Sequence, residues 1–327
     1  MTVERSLDDE FLTAADPYRR ELLAHCYRMS GSIHDAEDLL QETLVRAWRG
    51  YGSFDGRASI RTWLHRIATN TCLTALENRA RRPLPSGLGA PSADPSDDLV
   101  ERREVPWLEP IPDTVLWGDS VPDDPSTVVT RRESVRLAFV AALQHLSARQ
   151  RAVLVLRDVL QWKAAEVAEA LGTSTAAVNS LLQRARAQLH DVMPSEDDLE
   201  EPSSEAVREL LRRYVDGFER YDIDGLVELF TRDAVWEMPP FTGWYVGGPD
   251  IARLVKEKCP SEGPGDMRLL PAAANGQPAL GLYMREPDGV HRPFQLHVLD
   301  VTERGIAHVT CFFDTDLFVR FGLPEQV

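Results

Sequence analysis

Apolar residues over the first 82 positions recur at three- and four-residue steps. Leu22, Leu23, Cys26 and Met29 form one stripe, and Ala36, Leu39, Leu40, Leu44 and Ala47 a second. Trp63, Leu64, Ile67, Ala68, Thr71 and Cys72 form a third. This spacing predicts three amphipathic helices, broken at Gly31-Ser32 and across Gly50–Gly56. No proline falls between Tyr18 and Arg82. Asp35 is placed to cap the second helix, and Glu37 and Asp38 suit its positive end.

A second helical pattern occupies residues 131–190. Lys163–Leu171 is short and amphipathic, Gly172 stands where a left-handed turn must end it, and Thr173 or Ser174 can cap a new helix over Thr175–His190. Val167, Ala168, Leu171, Val178 and Leu181 fall where two steeply crossed helices bury residues. This is a helix-turn-helix pattern, whose second helix enters a DNA major groove. Phasing that helix on its apolar positions leaves Thr175, Ala176, Asn179, Ser180, Gln183, Arg184 and Arg186 outward or at the edges. Asn and Gln can pair with adenine, and Arg with guanine or phosphate.

From residue 203 the pattern changes again. SSEAVRELLRRYVDGFER carries a helical stripe, and helices are expected over Asp224–Phe230 and Pro249–Lys258. Strands are expected over Ala234–Met238, Met267–Ala274, Ala279–Arg285, Phe294–Val301 and Ile306–Phe313. Asn275-Gly276 and Asp288-Gly289 read as hairpin turns. Helices followed by an antiparallel meander give an α+β unit.

Composition refines this picture. The 327 residues carry a net charge of −16, which taken whole argues against a nucleic-acid binder. By segment the charge is 0 over 1–82, −8 over 83–130, +5 over 131–190, −6 over 191–202 and −7 over 203–327. The acid sits in two connectors and the C-terminal third, and the helix-turn-helix segment is basic. Nine prolines also mark 83–130 as an extended acidic linker. The expected organisation is therefore folded units at 10–82, 131–190 and 203–327, joined by linkers at 83–130 and 191–202. No apolar run approaches membrane-spanning length. The four cysteines are scattered without a zinc or disulfide spacing. They fit reduced thiols in a cytoplasmic protein, with no metal or cofactor expected.

The strings DAEDLLQETLVRAW and FDGRASIRTWLHRIATNTCLTALENRARR resemble region 2 of the sigma-70 family, in its extracytoplasmic-function group. The string HLSARQRAVLVLRDVLQWKAAEVAEALGTSTAAVNSLLQRARAQL resembles region 4. YDIDGLVELFTRDAVWEMPP and HVTCFFDTDLFVRFGLP resemble a SnoaL-like module of the nuclear transport factor 2-like superfamily. The implied fold is multidomain: two all-α sigma domains, one a region 2 helical bundle and the other a region 4 helix-turn-helix, then a C-terminal α+β cone. The implied function is a non-enzymatic sigma factor that binds core RNA polymerase and promoter DNA, with the last domain regulating it. A helix-turn-helix regulator fused to an isomerase- or cyclase-like enzyme is the alternative, and an adaptor making only protein contacts is a third.

By the resemblance, Asp35, Glu37, Asp38, Gln41 and Glu42 would dock the polymerase β′ clamp, and region 4 would contact the β flap as well as the −35 element. Phe54, Arg57, Ser59, Arg61, Trp63, His65, Asn70, Asn78 and Arg79 would melt and read the −10 element. Aromatics set among arginines can stack unpaired bases while the cations hold phosphates, although Trp63 as core with solubilising arginines fits the same string. Thr175, Ala176, Asn179, Ser180, Gln183, Arg184 and Arg186 would read the −35 element. In the third unit Trp236, Met238, Trp244, Tyr283, His297, His308, Phe312 and Asp314 are the candidate lining of a pocket. No catalytic constellation is expected there. A pocket ligand would be a small molecule of unknown identity. The acidic linker would thread polymerase channels built for nucleic acid.

Overall fold

The computed structural model describes residues 7–77, 79–118, 133–190 and 205–327. The chain divides into two compact units rather than three. The first comprises residues 1–82, 108–111 and 115–193, and the second residues 83–107, 112–114 and 194–327.

In the first unit, α1 (Leu7–Ala15), α2 (Arg19–Ser30), α3 (Ile33–Gly50) and α4 (Ile60–Leu76) form the N-terminal bundle. Gly31 ends α2 at φ +72°, its N–H returning to the Tyr27 carbonyl. Ser32, not Asp35, caps α3, accepting the Asp35 N–H, and Ser59 caps α4 by accepting that of Thr62. The three stripes read from the sequence meet in the core, where Leu22, Cys26, Met29, Ala36, Ala47, Leu64, Ala68 and Cys72 are sealed from solvent.

The helix-turn-helix domain continues the same unit with α5 (Leu137–Leu143), α6 (Ala148–Leu154), α7 (Ala164–Ala170) and α8 (Thr175–His190). Ser147 and Gln150 close a reciprocal cap on α6. Gly172 has φ +59°, and Ser174 then accepts the Ala177 N–H at 3.2 Å, so Ser174 is the cap of α8. Trp162, Val167, Ala168, Val178, Leu182, Ala185 and Leu189 share one apolar cluster.

Residues 108–111 also belong to the first unit. Leu108 and Ile111 are fully buried. The Glu109 N–H donates to the Gly31 carbonyl at 3.0 Å, and the Tyr27 hydroxyl donates to the Glu109 carbonyl at 2.7 Å.

The second unit is a six-stranded sheet of order β2-β1-β6-β5-β4-β3. Its strands are β1 (Phe230–Glu237), β2 (Trp244–Val246), β3 (Met267–Ala274), β4 (Gln277–Arg285), β5 (His291–Thr302) and β6 (Gly305–Phe312). Only the β1–β6 pairing is parallel. Asn275 and Gly276, at φ +59° and +71°, make the two-residue β3–β4 turn expected from their type. Helices α9 (Glu205–Glu219), α10 (Ile223–Val227) and α11 (Gly248–Lys258) share a core with Trp236, Leu299, Val309 and Cys311. The short helix α12 (Asp316–Arg320) brings Phe318 against Gly281 and Tyr283 of β4.

The proline-rich stretch 83–107 is irregular, as its composition predicts, but it is not a free linker. It lies on the second unit with Leu84, Pro85, Pro95 and Trp107 buried. Its backbone finds acceptors and donors there, which satisfies groups that proline-broken chain cannot satisfy internally.

Candidate polymerase and nucleic-acid interface

On α3, Asp38, Gln41 and Glu42 are exposed and Glu37 is half-buried. Glu42 takes a 2.7 Å bond from Arg46 one turn on. Asp35 stands apart from them. Arg82 and Arg79 reach its Oδ2 at 2.8 and 3.0 Å. Burial pushes the Asp35 carboxyl up, but the two guanidinium groups outweigh it and hold it below the ordinary carboxylate value. Arg82 also meets Glu109 at 3.3 Å, and the Glu109 carboxylate takes the Ser32 hydroxyl at 2.6 Å and pairs with His34 Nδ1 at 2.8 Å. Asp35 is thus part of an internal charge network, unlike the exposed acids one and two turns beyond it.

The aromatic residues before and in α4 converge. Phe54 lies 5.0 Å from Trp63, and Tyr51 6.4 Å from each, its ring nearly parallel to that of Phe54. Phe11 closes the group against Tyr51 at 5.4 Å. Phe11 is buried, whereas Tyr51, Phe54 and Trp63 are half-buried, the state in which an aromatic can pack and still offer a face. Arg57 is exposed and pairs with its neighbour Asp55. The Ser59 hydroxyl is engaged as the α4 cap. Arg61 makes a forked pair with Glu21, and Arg79 is held on Asp35.

His65 does not belong to this surface. It is fully buried, edge-on to His25 at 5.6 Å and to Trp162 of the helix-turn-helix domain at 6.5 Å. Burial lowers its pKa and leaves it neutral. The reason is helical phase: Trp63 and His65 are two residues apart, and such side chains point to different sides of a helix. Asn70 is exposed, but its amide donates to the Arg66 carbonyl at 3.0 Å and to the Ala170 carbonyl of α7 at 3.4 Å. Arg66 meets Glu169 at 3.8 Å. Arg66 and Asn70 thus bond to the end of α7 while staying exposed, and only His65 turns into the interior. Asn78 lies outside the described residues.

On α8, Thr175, Ala176, Asn179, Ser180, Gln183, Arg184 and Arg186 are all exposed. Arg184 donates to the Ser180 hydroxyl at 2.5 Å. Arg186 forks onto Asp158 at 2.7 and 3.0 Å. It is fixed to the turn ahead of α7, and that hydrogen-bonded carboxylate raises its already high pKa.

In the second unit the expected lining does not form one pocket. Trp236 and His297 do meet, ring centroids 5.4 Å apart, and Phe218 and Tyr214 of α9 fill the space between helix and sheet. The Tyr214 hydroxyl and His297 Nδ1 share a 2.8 Å hydrogen bond. Burial drives the His297 pKa down to about 3, so the ring is neutral, and it raises that of Tyr214. Among the described residues, His297 Nε2 and Trp236 Nε1 are buried without a hydrogen-bond partner. Met238 is buried just past the end of the same strand. Tyr283 instead packs on Phe318 and donates to the Pro324 carbonyl at 2.8 Å, and burial lifts its pKa to about 12. Phe312 is buried one residue past Cys311, hence on the other face of β6. Trp244 lies on edge strand β2, and exposed Asp314 caps the Asp316 N–H. A cleft of about 220 Å³ lies elsewhere, among Arg213, Asp216, Arg220, Asp222 and Glu228. Among the described residues no cluster of His, Cys, Asp or Glu could hold a metal, and no helix is long and apolar enough to cross a membrane.

One buried polar pair of the module was not foreseen as a pair. Glu237 is fully buried and faces away from Trp236; its Oε1 meets His308 Nε2 at 2.7 Å and its Oε2 accepts the Ser86 N–H at 2.9 Å. Burial alone would lower the His308 pKa, but Glu237 and, further off, Asp300 outweigh it and the pKa is raised. A glutamate between Trp236 and Met238 in a strand was the available signal, since alternation places it on the opposite face.

Comparison with known proteins agrees with this architecture. Residues 15–82 match Sigma-70 region 2, residues 136–189 Sigma-70 region 4, and residues 211–307 a SnoaL-like domain. The chain is 66% identical over 319 residues to the ECF RNA polymerase sigma factor SigG of Mycobacterium tuberculosis (strain H37Rv), covering 97% of this chain and 85% of the relative. The chain belongs to the ECF sigma factors. It is also 30% identical over 256 residues to the ECF sigma factor SigJ of the same strain, covering 76% of this chain and 72% of that one. The crystal structure of Mycobacterium tuberculosis SigJ matches the fold with a TM-score of 0.64 at 24% identity, over 96% of this chain and all of that one. In this ECF sigma factor, then, α2–α4 lie in region 2, α5–α8 in region 4, and most of the sheet in the SnoaL-like domain.

Proposed function

We propose that this ECF sigma factor divides promoter recognition between two surfaces of its first unit and uses its SnoaL-like domain for regulation rather than chemistry. The observation that carries the DNA reading is the exposed row Thr175, Ala176, Asn179, Ser180 and Gln183 along the N-terminal half of α8. That half is the part of a helix-turn-helix recognition helix that meets base edges. Arg184, next on that helix, serves phosphate. Phe54 and Trp63, with Tyr51, supply stacking faces for unpaired −10 bases, and Arg57 supplies charge beside them. Asp38, Gln41 and Glu42, with Glu37 at the margin, present the acidic face of α3 to the β′ clamp, and region 4 also meets the β flap. Asp35 acts by holding Arg79 and Arg82 in place.

The absence of catalysis in the SnoaL-like domain is supported by the packing around His297. A general base needs a proton-accepting nitrogen within reach of substrate; this ring is neutral, but aromatic side chains occupy the space a substrate would need. Run-off transcription with core polymerase and this chain tests the whole reading. A promoter-specific transcript is expected. No transcript, even after removal of residues 203–327, overturns it.

A further inference from the structure

Two of the four scattered cysteines come together in the fold. Cys26 of α2 and Cys72 of α4 are both sealed from solvent in the region 2 core. The Cys26 thiol donates a hydrogen bond to the Cys72 sulfur, and no disulfide joins them. That bond first, and burial second, hold the Cys26 thiol well above its ordinary pKa. Cys26 therefore keeps its proton, and Cys72 is the sulfur that accepts.

One charged group reaches this pair. Arg151 of α6 is buried, and it donates to the Met29 carbonyl, one turn beyond Cys26, and to the Leu146 carbonyl at 3.2 Å. Burial brings its pKa down to about 10, and attraction to the Cys72 sulfur opposes the fall. Arg151 is therefore a cation at neutral pH. Among the described residues its Nε is buried without a hydrogen-bond partner. A guanidinium beside a thiol favours the thiolate, which is the nucleophilic form. None of the three groups faces the polymerase and DNA surfaces described above.

We propose that Cys26 and Cys72 form an oxidisable dithiol whose substrate is a small hydroperoxide, with Cys72 attacking, Cys26 resolving and Arg151 holding the charge of the Cys72 thiolate. The thiolate attacks the outer peroxide oxygen. An S–O bond forms, the O–O bond breaks, and the leaving oxygen takes the proton that Cys72 released and departs as alcohol or water. The Cys26 sulfur then attacks the sulfenic sulfur. The S–S bond forms, the S–O bond breaks, and the hydroxide leaves as water with the Cys26 proton. Two electrons pass from the sulfurs to the peroxide, and the disulfide staples α2 to α4. Sealing selects the smallest oxidants: hydrogen peroxide is little larger than water, whereas glutathione disulfide must bring a bulky molecule to the same sulfur.

Hydrogen peroxide titration of the full-length chain, followed by thiol blocking and peptide mass spectrometry, tests the site. A linked Cys26–Cys72 peptide, cleaved by dithiothreitol, is expected at a dose about tenfold below that which oxidises Cys311, a thiol equally sealed in the second unit. Cys26→Ala should stop Cys72 at the sulfenic acid, trapped by a cyclic 1,3-diketone, and Cys72→Ala should leave Cys26 untrapped. The cross-link removes freedom from the opened bundle, so amides of α2 and α4 should exchange at least about threefold more slowly after oxidation and recover on reduction. No linked peptide at doses that oxidise Cys311 overturns the dithiol, and this wild-type result stands even where a variant fails to fold. Equal trapping in the two variants refutes Cys72 as the attacking sulfur. Cross-linking by glutathione disulfide at the same dose refutes the hydroperoxide as substrate, and unchanged exchange in the fully cross-linked chain refutes the staple.

Discussion

Glu237→Gln removes the charge from the buried half of the Glu237–His308 pair, and its effect has a pH signature. The carboxylate is fully buried, and its partner His308 is about a quarter exposed, its side chain at 26%. Glutamine keeps an acceptor for the Ser86 N–H and removes the charge, so the variant leaves an imidazolium without its counter-ion. Removing one partner of a fully buried pair costs about 3–5 kcal/mol; the partial exposure of His308 reduces the expectation to about 2–3 kcal/mol. For a unit of this size that is a fall in Tm of roughly 4–12 °C. His308 has a folded-state pKa raised above its ordinary 6.5. Its contribution is therefore fully present below pH 6.5 and is lost as the pH rises through the raised value. In the variant burial is opposed only by the more distant Asp300, so the His308 pKa falls from its raised value and the stabilisation that the proton brings below pH 6.5 is reduced. Both shifts widen the gap between wild type and variant at pH 6 and narrow it by pH 9. Calorimetry at the two values, with hydrogen exchange of β1 and β6 peptides to localise the change, measures it. A gap that is equal at both, or wider at pH 9, would show that Glu237 does not hold a proton on His308.

Two other substitutions separate packing from recognition. Tyr214→Phe leaves His297 Nδ1 buried without its partner and should destabilise the domain by about 1–3 kcal/mol, read as a lower denaturation midpoint in urea; an unchanged midpoint would mean that the Tyr214–His297 bond contributes nothing. Arg184→Ala should lower the slope of log affinity against log salt for −35 DNA by about one unit, whereas Arg186→Ala, which breaks the pair with Asp158, should leave most of that slope in place. Equal loss from the two variants would assign both arginines to phosphate.

The elements legible in the sequence were those whose signal is local. The three stripes of region 2, the glycine at the helix-turn-helix corner and the Asn275-Gly276 turn each specify their structure through residues within one or two turns of each other. Strand β2 escaped because three residues, Trp244–Val246, are too few to show alternation. The packing of 83–107 on the second unit escaped for a different reason: composition marked the stretch as irregular, and irregular it is, but several of the bonds that hold it come from backbone N–H groups, those of Ser86, Ala93 and Arg102 among them, which any residue but proline would supply. The buried pair escaped because Glu237 and His308 lie 71 positions apart, so nothing in either neighbourhood names the other.

The site residues show where helical phase, rather than residue type, decides function. His65 and Trp63 both suit a nucleic-acid surface, yet they are two positions apart on α4, and one was bound to turn inward if the other faced out. Arg184 and Arg186 repeat the case on α8: the first lies with Ser180 on the outer row, and the second turns to Asp158. Asp35 differs from Asp38 and Glu42 in the same way, since it lies at the start of α3 where Arg79 and Arg82 return from the end of α4. An inventory of arginines, aromatics and acids identifies the helices that meet polymerase and DNA. Which of those side chains is available depends on the phase at which each helix meets its neighbours, and that is set by the core stripe on its opposite side.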